Sequence, residues 1–231
     1  MCLMVTGKRL PAAASRAAAP ANRDTALALG MAESLRHALF RSFVRLGDEA
    51  AAGPAEALTV AQAAKPTGPA RLAARHPPGA DRVQALARYT RCLAHYRQQL
   101  RPEDTARGVD DIGVAAALFV AANLGTTQAV ALTPLLLQCL AQQLGSVVRH
   151  CGAWSTASTA DHQSYAEQLA VVAVLVGESW AQALLQGEAA QANVQRAARG
   201  YLVQLLGVDA DQLALGPGGL VLREPNTALA N

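Results

Sequence analysis

Residues 164–187 read SYAEQLAVVAVLVGESWAQALLQG, and the reading of this stretch decides the fold. Leu169 to Val176 are apolar without a break, with no charge and no proline. As a helix the run is too short to cross a bilayer, which takes about 20 apolar residues. Tyr165, Leu169, Val172, Val176, Trp180 and Leu184 recur at helical spacing. A helix that is apolar on nearly all sides lies in the middle of a bundle rather than on its surface. The stretch is therefore read as the central helix of a small helical domain.

Composition agrees. The chain has 231 residues, enough for one domain with appendages or two small ones. It is 52% hydrophobic but only 4% aromatic, so Ala and Leu carry the apolar content and favour helix over sheet. The net charge of +3 is too small to imply a nucleic-acid partner. Residues 1–80 hold ten Lys and Arg against five Asp and Glu, whereas residues 81–231 hold ten against twelve. The basic excess belongs to the N-terminal part.

Outward from the central helix, the neighbours present one-sided apolar faces. Asp81 caps a predicted helix running to about Leu100, with Val83, Leu86, Leu93 and Leu100 among its apolar residues and Tyr89 and Tyr96 a heptad apart. Pro102 opens a second helix, with Glu103 and Asp104 at its positive end, running to about Leu124. Ile112, Ala116, Phe119 and Val120 face inward, and Gly113 permits a close neighbour. Thr133 caps a third helix, Pro134–Arg149, with Leu136, Leu140 and Leu144 on one face. Residues 152–158 read as a loop around Trp154, and Thr159 and Asp161 start the central helix. A fifth helix covers about residues 189–206 and stops at Gly207. Pro217-Gly218-Gly219 turns the tail, giving a hook or a β-ribbon of residues 212–215 with 220–223. The predicted fold is all-α: a five-helix orthogonal, bundle-like domain over 81–223, followed by a disordered tail at 224–231.

The N-terminal part reads differently. Residues 1–23 are rich in Ala and Pro and read as disordered. Residues 24–47 read as an amphipathic helix, with Leu35, Leu39, Phe43 and Leu46 on one stripe and His37, Arg41 and Arg45 opposite. Such a helix packs loosely on the domain or, as the lesser alternative, meets a partner or a membrane surface. Residues 48–80 read as an Ala/Pro-rich linker, because prolines 54, 66, 69, 77 and 78 interrupt a stretch with little to bury. MCLMV is an apolar start that Thr6, Gly7, Lys8 and Arg9 stop, whereas a secretory core wants about 7–15 apolar residues. Either the start is placed too late in an exported chain or the N-terminus is cytosolic. The compartment stays open.

Four cysteines are present: Cys2, Cys92, Cys139 and Cys151. Cys139 and Cys151, on one predicted helix, stand about 18 Å apart along its axis at the usual rise. A disulfide needs Cα atoms within about 7 Å, so that pair is barred while the helix is intact. Cys92 is left able to meet either across a helix contact.

Three blocks carry a family resemblance: HYRQQLRPEDTARGVDD (95–111), QLAVVAVLV (168–176) and, most specifically, AARGYLVQLLGVDADQLALGPGGL (197–220). Over residues 89–223 the chain resembles a bacterial, proteobacterial family known only as a domain of unknown function. The resemblance implies a helical fold and, for many members, export. It implies no activity and no catalytic residues.

The chemistry-bearing residues do not converge. Gly177-Glu178-Ser179 follows an apolar run, as in the nucleophile elbow of a hydrolase, but Ala181 stands where that motif needs glycine and no histidine follows Ser179. Adjacent His150 and Cys151 point about 100° apart on a helix of 3.6 residues per turn. Asp161, His162 and Glu167 lack the i, i+4 pairing of a helical metal site. His95 with His162 is the long-range alternative. Glu103, Asp104, Asp110 and Asp111 could pair as carboxylates, yet helix-end and surface roles already account for them. Gly216-Pro217-Gly218-Gly219 precedes no helix and is no phosphate loop. No catalytic, cofactor or metal residue is assigned, and no enzyme is expected. The first reading is a non-catalytic helical module acting through protein contacts, including a homo-oligomer. The alternatives are a small-molecule or lipid carrier with an apolar interhelical pocket, then an enzyme with an unrecognised site.

Overall fold

The computed structural model describes Gly30, Glu33 and residues 58–62, 65–99, 110–128, 132–216 and 218–223. Between Gly68 and Leu206 it places seven helices: α1 (Gly68–Ala73), α2 (Ala80–Gln99), α3 (Ile112–Gly125), α4 (Pro134–Arg149), α5 (Gly152–Thr156), α6 (Thr159–Gln186) and α7 (Glu188–Leu206). A 3₁₀ turn at Ala210–Gln212 leads into an antiparallel ribbon of β1 (Leu213–Gly216) and β2 (Gly219–Leu222). The mostly helical architecture agrees with the sequence. Five helices were expected, and α1 and α5 are the short additions.

The core is built on α6. Tyr165, Leu169, Val171, Val172 and Val176 are all buried, and α6 packs against α1, α2, α3 and α7. Among the described residues α6 alone is long and apolar enough to cross a membrane by length and composition, and nearly half of its apolar window is buried against the other helices. Helix α3 is the second inner element, with Ile112, Ala116, Phe119, Val120 and Leu124 fully enclosed. Gly113 lets α4 approach, since a Cβ there would meet the Ala141 carbonyl and stand 3.2 Å from the Gly145 Cα. The Tyr165 hydroxyl donates to the Leu205 carbonyl at 2.6 Å, tying α6 to the end of α7.

Local chemistry sets the helix ends. The Thr133 side chain accepts from the Leu136 N–H and Pro134 follows, as the sequence predicts for α4. Ser158 caps α6 by accepting from the Asp161 N–H. Gly207 takes the left-handed conformation (φ 65°) that ends α7. The ribbon pairs Leu213 with Leu222 and Leu215 with Leu220. Its outer edges are closed by side-chain amides. Gln143 donates to the Leu220 carbonyl (2.7 Å) and accepts from the Leu220 N–H (2.8 Å). Gln128 does the same for β1 through the Leu213 carbonyl and the Leu215 N–H.

Four expectations need correction. The linker reading of 48–80 does not hold for residues 58–62 and 65–79, which pack on the bundle: Val60, Leu72 and Ala73 are in the core. Two buried carboxylates organise this strap. Asp111 accepts from the Leu58 N–H (2.7 Å), and Glu167 accepts from the Thr67 and Gly68 N–H groups at the start of α1 (2.8 and 2.7 Å). The helix expected over 102–124 begins at Ile112, because Asp111 is extended and caps α3 through the Val114 N–H; residues 101–109 lie outside the described residues. Val83 and Leu86 are exposed, as is Leu184 on α6, while Leu93, Tyr89 and Tyr96 are buried as expected. Cys139 and Cys151 do not share a helix, since α4 ends at Arg149 and Cys151 caps α5; with Cys92 they are free thiols.

Of the amphipathic helix expected at 24–47, Gly30 and Glu33 are described and both are helical. Gly30 lies against Ala153 and the Cys151 sulfur. The rest of that helix, residues 1–23 and the tail 224–231 fall outside the described residues.

Deleting residues 1–79 removes the buried Val60 and Leu72 and leaves Glu167 without two of its donors. Two buried aliphatic side chains are worth about 3–6 kcal/mol, a large part of a domain's stability. The truncated chain should melt at least about 6 °C below the full chain by circular dichroism. An unchanged melting temperature would show that the strap contributes nothing.

Candidate functional site: an apolar cleft beside the central helix

The residues singled out in the sequence are kept apart by the fold. His162 stacks on Trp154, with ring centroids 3.9 Å apart, and shares a hydrogen bond with the Trp154 carbonyl. His95 is held elsewhere, by Glu178 at 2.7 Å. The two histidines therefore do not meet. Among the described residues there is no group of three or more His, Cys, Asp or Glu side chains able to hold a metal ion. Ser179 is a half-buried residue inside α6, so residues 171–181 are helix throughout and form no strand-to-helix elbow. Asp111 is a helix cap, and Glu103 and Asp104 lie outside the described residues. Burial pushes the Cys92 thiol up, with Glu178 adding to the rise, which disfavours a reactive thiolate. His150 bonds back to the Ser146 carbonyl of its own helix. Gly219, with φ 119°, makes the ribbon turn.

The buried polar groups of α6 are consumed in holding the strap. Asp161 takes hydrogen bonds from the Ser158 hydroxyl (2.6 Å) and Arg71 (2.9 Å). Glu167 accepts from Gln163 (2.9 Å) and Arg97 (3.2 Å) in addition to the two α1 N–H groups. Arg75 donates to Gln168 at 3.0 Å. These contacts are structural joints.

What remains open is a cleft of about 690 Å³ between α2, α3 and α6. Helix α6 supplies Ala173, Val174, Gly177, Trp180 and Ala181; α3 supplies Leu118, Ala121, Ala122 and Gly125; Leu132 closes one end. The α2 rim carries His95, Tyr96 and Gln99. The walls are mostly small and apolar, with polar groups confined to the α2 side and Glu178. His95 and Glu178 are both well exposed, so their ion pair contributes little stability. Two cleft glycines are informative. None of the described residues lies within 4 Å of the position a Cβ would take at Gly177 or at Gly125. Gly177 sits inside a 28-residue helix, where glycine costs about 1 kcal/mol relative to alanine. Among the described residues no packing requires it.

Beyond the cleft, α6 continues as an apolar overhang. Leu184 follows Trp180 and Ala181 on the same face, and Leu185 is 89% exposed. The sequence reading took Gly177 only as part of a failed hydrolase motif. The signal available was the small-residue spacing Ala173, Gly177, Ala181 on a helix otherwise rich in Val and Leu.

The model of a family of unknown function, DUF6683, matches residues 3–223. The chain belongs to that family. The match extends the resemblance seen over 89–223 toward the N-terminus, over the strap that the fold shows packed on the bundle. No curated protein and no solved structure matches this member of DUF6683.

The Asp161 carboxyl is held below its ordinary value of 3.8, chiefly by the Ser158 hydroxyl, with Arg71 adding to the effect against the opposing cost of burial. A group with a depressed folded-state pKa contributes stability that is present above its unfolded value and is lost as pH falls through its folded value. Wild-type chain should therefore lose more stability between pH 5 and pH 3 than Asp161→Asn, as read by urea denaturation. Equal losses would show that Asp161 has no share in acid sensitivity.

Proposed function

We propose that this protein is a non-catalytic helical module that acts through protein contact, with the cleft over Gly177 as its docking surface. The observation that supports this reading is the unexplained glycine. A helix interior that bears a glycine with open space above it is shaped for close approach by something outside the fold. An apolar helix is the matching shape, since its side chains can seat between α3 and α6 while its backbone passes over Ala173, Gly177 and Ala181. The exposed Leu184 and Leu185 lengthen the apolar face. His95, Gln99 and Glu178 give the rim polar groups that set orientation.

A second reading is a carrier for a small apolar molecule. It is favoured by the size of the cleft, about 690 Å³, which falls within the 300–1,000 Å³ usual for ligand pockets.

The two readings separate in one experiment on the full chain. A photo-crosslinking residue replaces Gln99 at the cleft rim, and a control replaces the exposed Thr90 on the outer face of α2. A discrete protein adduct from position 99 but not from position 90 is the expected result. A small-mass adduct at 99, matched by an extra mass in native mass spectrometry that is lost on denaturation, would favour the carrier. Equal adducts at both positions, or none, would remove the cleft from consideration.

A further inference from the structure

We propose that the junction of α1, α2 and α7 is a binding site for a phosphate group, held by Arg75, Arg88 and the Tyr201 hydroxyl. The site is separate from the cleft, whose lining includes none of these residues, and it does not depend on the docking reading. It starts from an imbalance of charge. Between Lys65 and Arg97 the sequence holds seven Lys and Arg against one acid, Asp81. Two of the seven meet a carboxylate: Arg71 pairs with Asp161 and Arg97 with Glu167. Arg82 serves the fold, since it donates to the His76 and Ala74 carbonyls at the end of α1. Arg75, Arg88 and Arg91 are exposed and, among the described residues, pair with no carboxylate. Asp81 lies in the first turn of α2. It precedes Arg88 by seven residues, about 10 Å along the axis.

Two of these arginines converge with two phenols. Arg75 donates to Gln168 on α6 at 3.0 Å, which anchors its guanidinium and leaves most of its five donors for other partners. His76, the next residue, shares a 2.9 Å hydrogen bond with the hydroxyl of the buried Tyr89. Arg88 immediately precedes Tyr89 on α2. Tyr201 reaches the same place from α7, where its half-buried ring brings the hydroxyl within the electrostatic reach of Tyr89, Arg75 and Arg88. Burial pushes the Tyr201 hydroxyl above its ordinary value of 10.0, Tyr89 adds to the rise, and the two arginines oppose it. The hydroxyl is therefore protonated at neutral pH and able to donate, and among the described residues it has no hydrogen-bond partner. The field of Glu178 reaches Cys92, one turn after Arg88, but that carboxylate is engaged by His95. Two like charges brought to one junction without a counter-ion repel each other, and a bound anion removes the repulsion. A dianionic phosphate fits best, because it offers oxygens to two guanidinium forks, whereas one fork already satisfies a carboxylate. Arg91, one turn beyond Arg88, adds positive charge that draws an anion in.

The test titrates inorganic phosphate into the full chain and follows the arginine Nε–H signals by NMR, with chloride at matched ionic strength as the reference. Saturable shifts of the Arg75 and Arg88 signals that chloride does not produce are expected. Arg75→Gln and Arg88→Gln should each weaken binding about 10-fold or more, as loss of a charged hydrogen-bond donor does. Tyr201→Phe should weaken it by less, since it removes a neutral donor. Arg88 is exposed and pairs with no carboxylate, so Arg88→Gln should melt at the wild-type temperature, which separates a lost site from a lost fold. The exposed Arg196 on α7, bonded to Asn193 of its own helix, is the control and should not shift. Shifts that chloride reproduces, that are equal at Arg196, or that survive Arg75→Gln combined with Arg88→Gln overturn the proposal. The source of the phosphate is read by flotation with phosphatidylcholine vesicles, with and without phosphatidic acid. Flotation that requires phosphatidic acid and is lost in Arg88→Gln assigns the group to a lipid headgroup. Saturable phosphate binding without flotation assigns it to a soluble phosphate ester. Neither result bears on the crosslink from Gln99, by which the docking reading stands or falls.

Discussion

Glu167 is the group on which the rest of the arrangement depends. Its carboxylate is buried on α6 and meets four N–H donors, from Thr67, Gly68, Gln163 and Arg97. A buried carboxylate is tolerated only when its lone pairs are satisfied, and here the donors come from three places far apart in the sequence. Two are backbone groups of the strap, one is on α2 and one lies a turn earlier on α6. Gly68 is part of the same joint, because a Cβ there would stand 2.5 Å from the Glu167 Cβ. One side chain therefore fixes where α1 begins, how closely it approaches α6 and where the end of α2 lies. Asp111 plays the corresponding part at the start of α3, capping that helix and receiving the Leu58 N–H with one carboxylate.

These joints explain which parts of the fold could be read from the sequence. Helix α4 was legible at both ends, since the Thr133–Pro134 cap and its apolar face are local signals. So were the Gly207 stop and the pairing of the C-terminal ribbon. The strap was not. Its residues look like linker because they have little bulk, and what orders them is hydrogen bonding to carboxylates about 50 and 100 residues away in the sequence. The start of α3 was misplaced for a related reason. Pro102, Glu103 and Asp104 form a good local start signal, but Asp111 is extended and occupied by the strap, so the described helix starts after it.

The cleft was legible only in negative terms. Scarce aromatic and abundant small side chains allow space between helices, but they do not say where it falls. The split character of α6 locates it. Between Asp161 and Val176 most of the helix is enclosed, first by the strap on its polar side and then by α3. From Gly177 onward it keeps α7 beside Ala183 while its other side leaves the bundle. Periodicity treated Tyr165 through Leu184 as one inward stripe, and the stripe is inward for most of its length only.

The amide clamps on the C-terminal ribbon have a consequence of their own. A two-stranded ribbon ordinarily offers both outer edges to further strands, which makes it a seed for uncontrolled sheet growth. Here Gln128 and Gln143 occupy the outward-facing backbone groups of Leu213, Leu215 and Leu220. An incoming strand would have to displace a glutamine from each edge and would leave its amide needing new partners. The chain thus carries its only described sheet in a form that is already terminated.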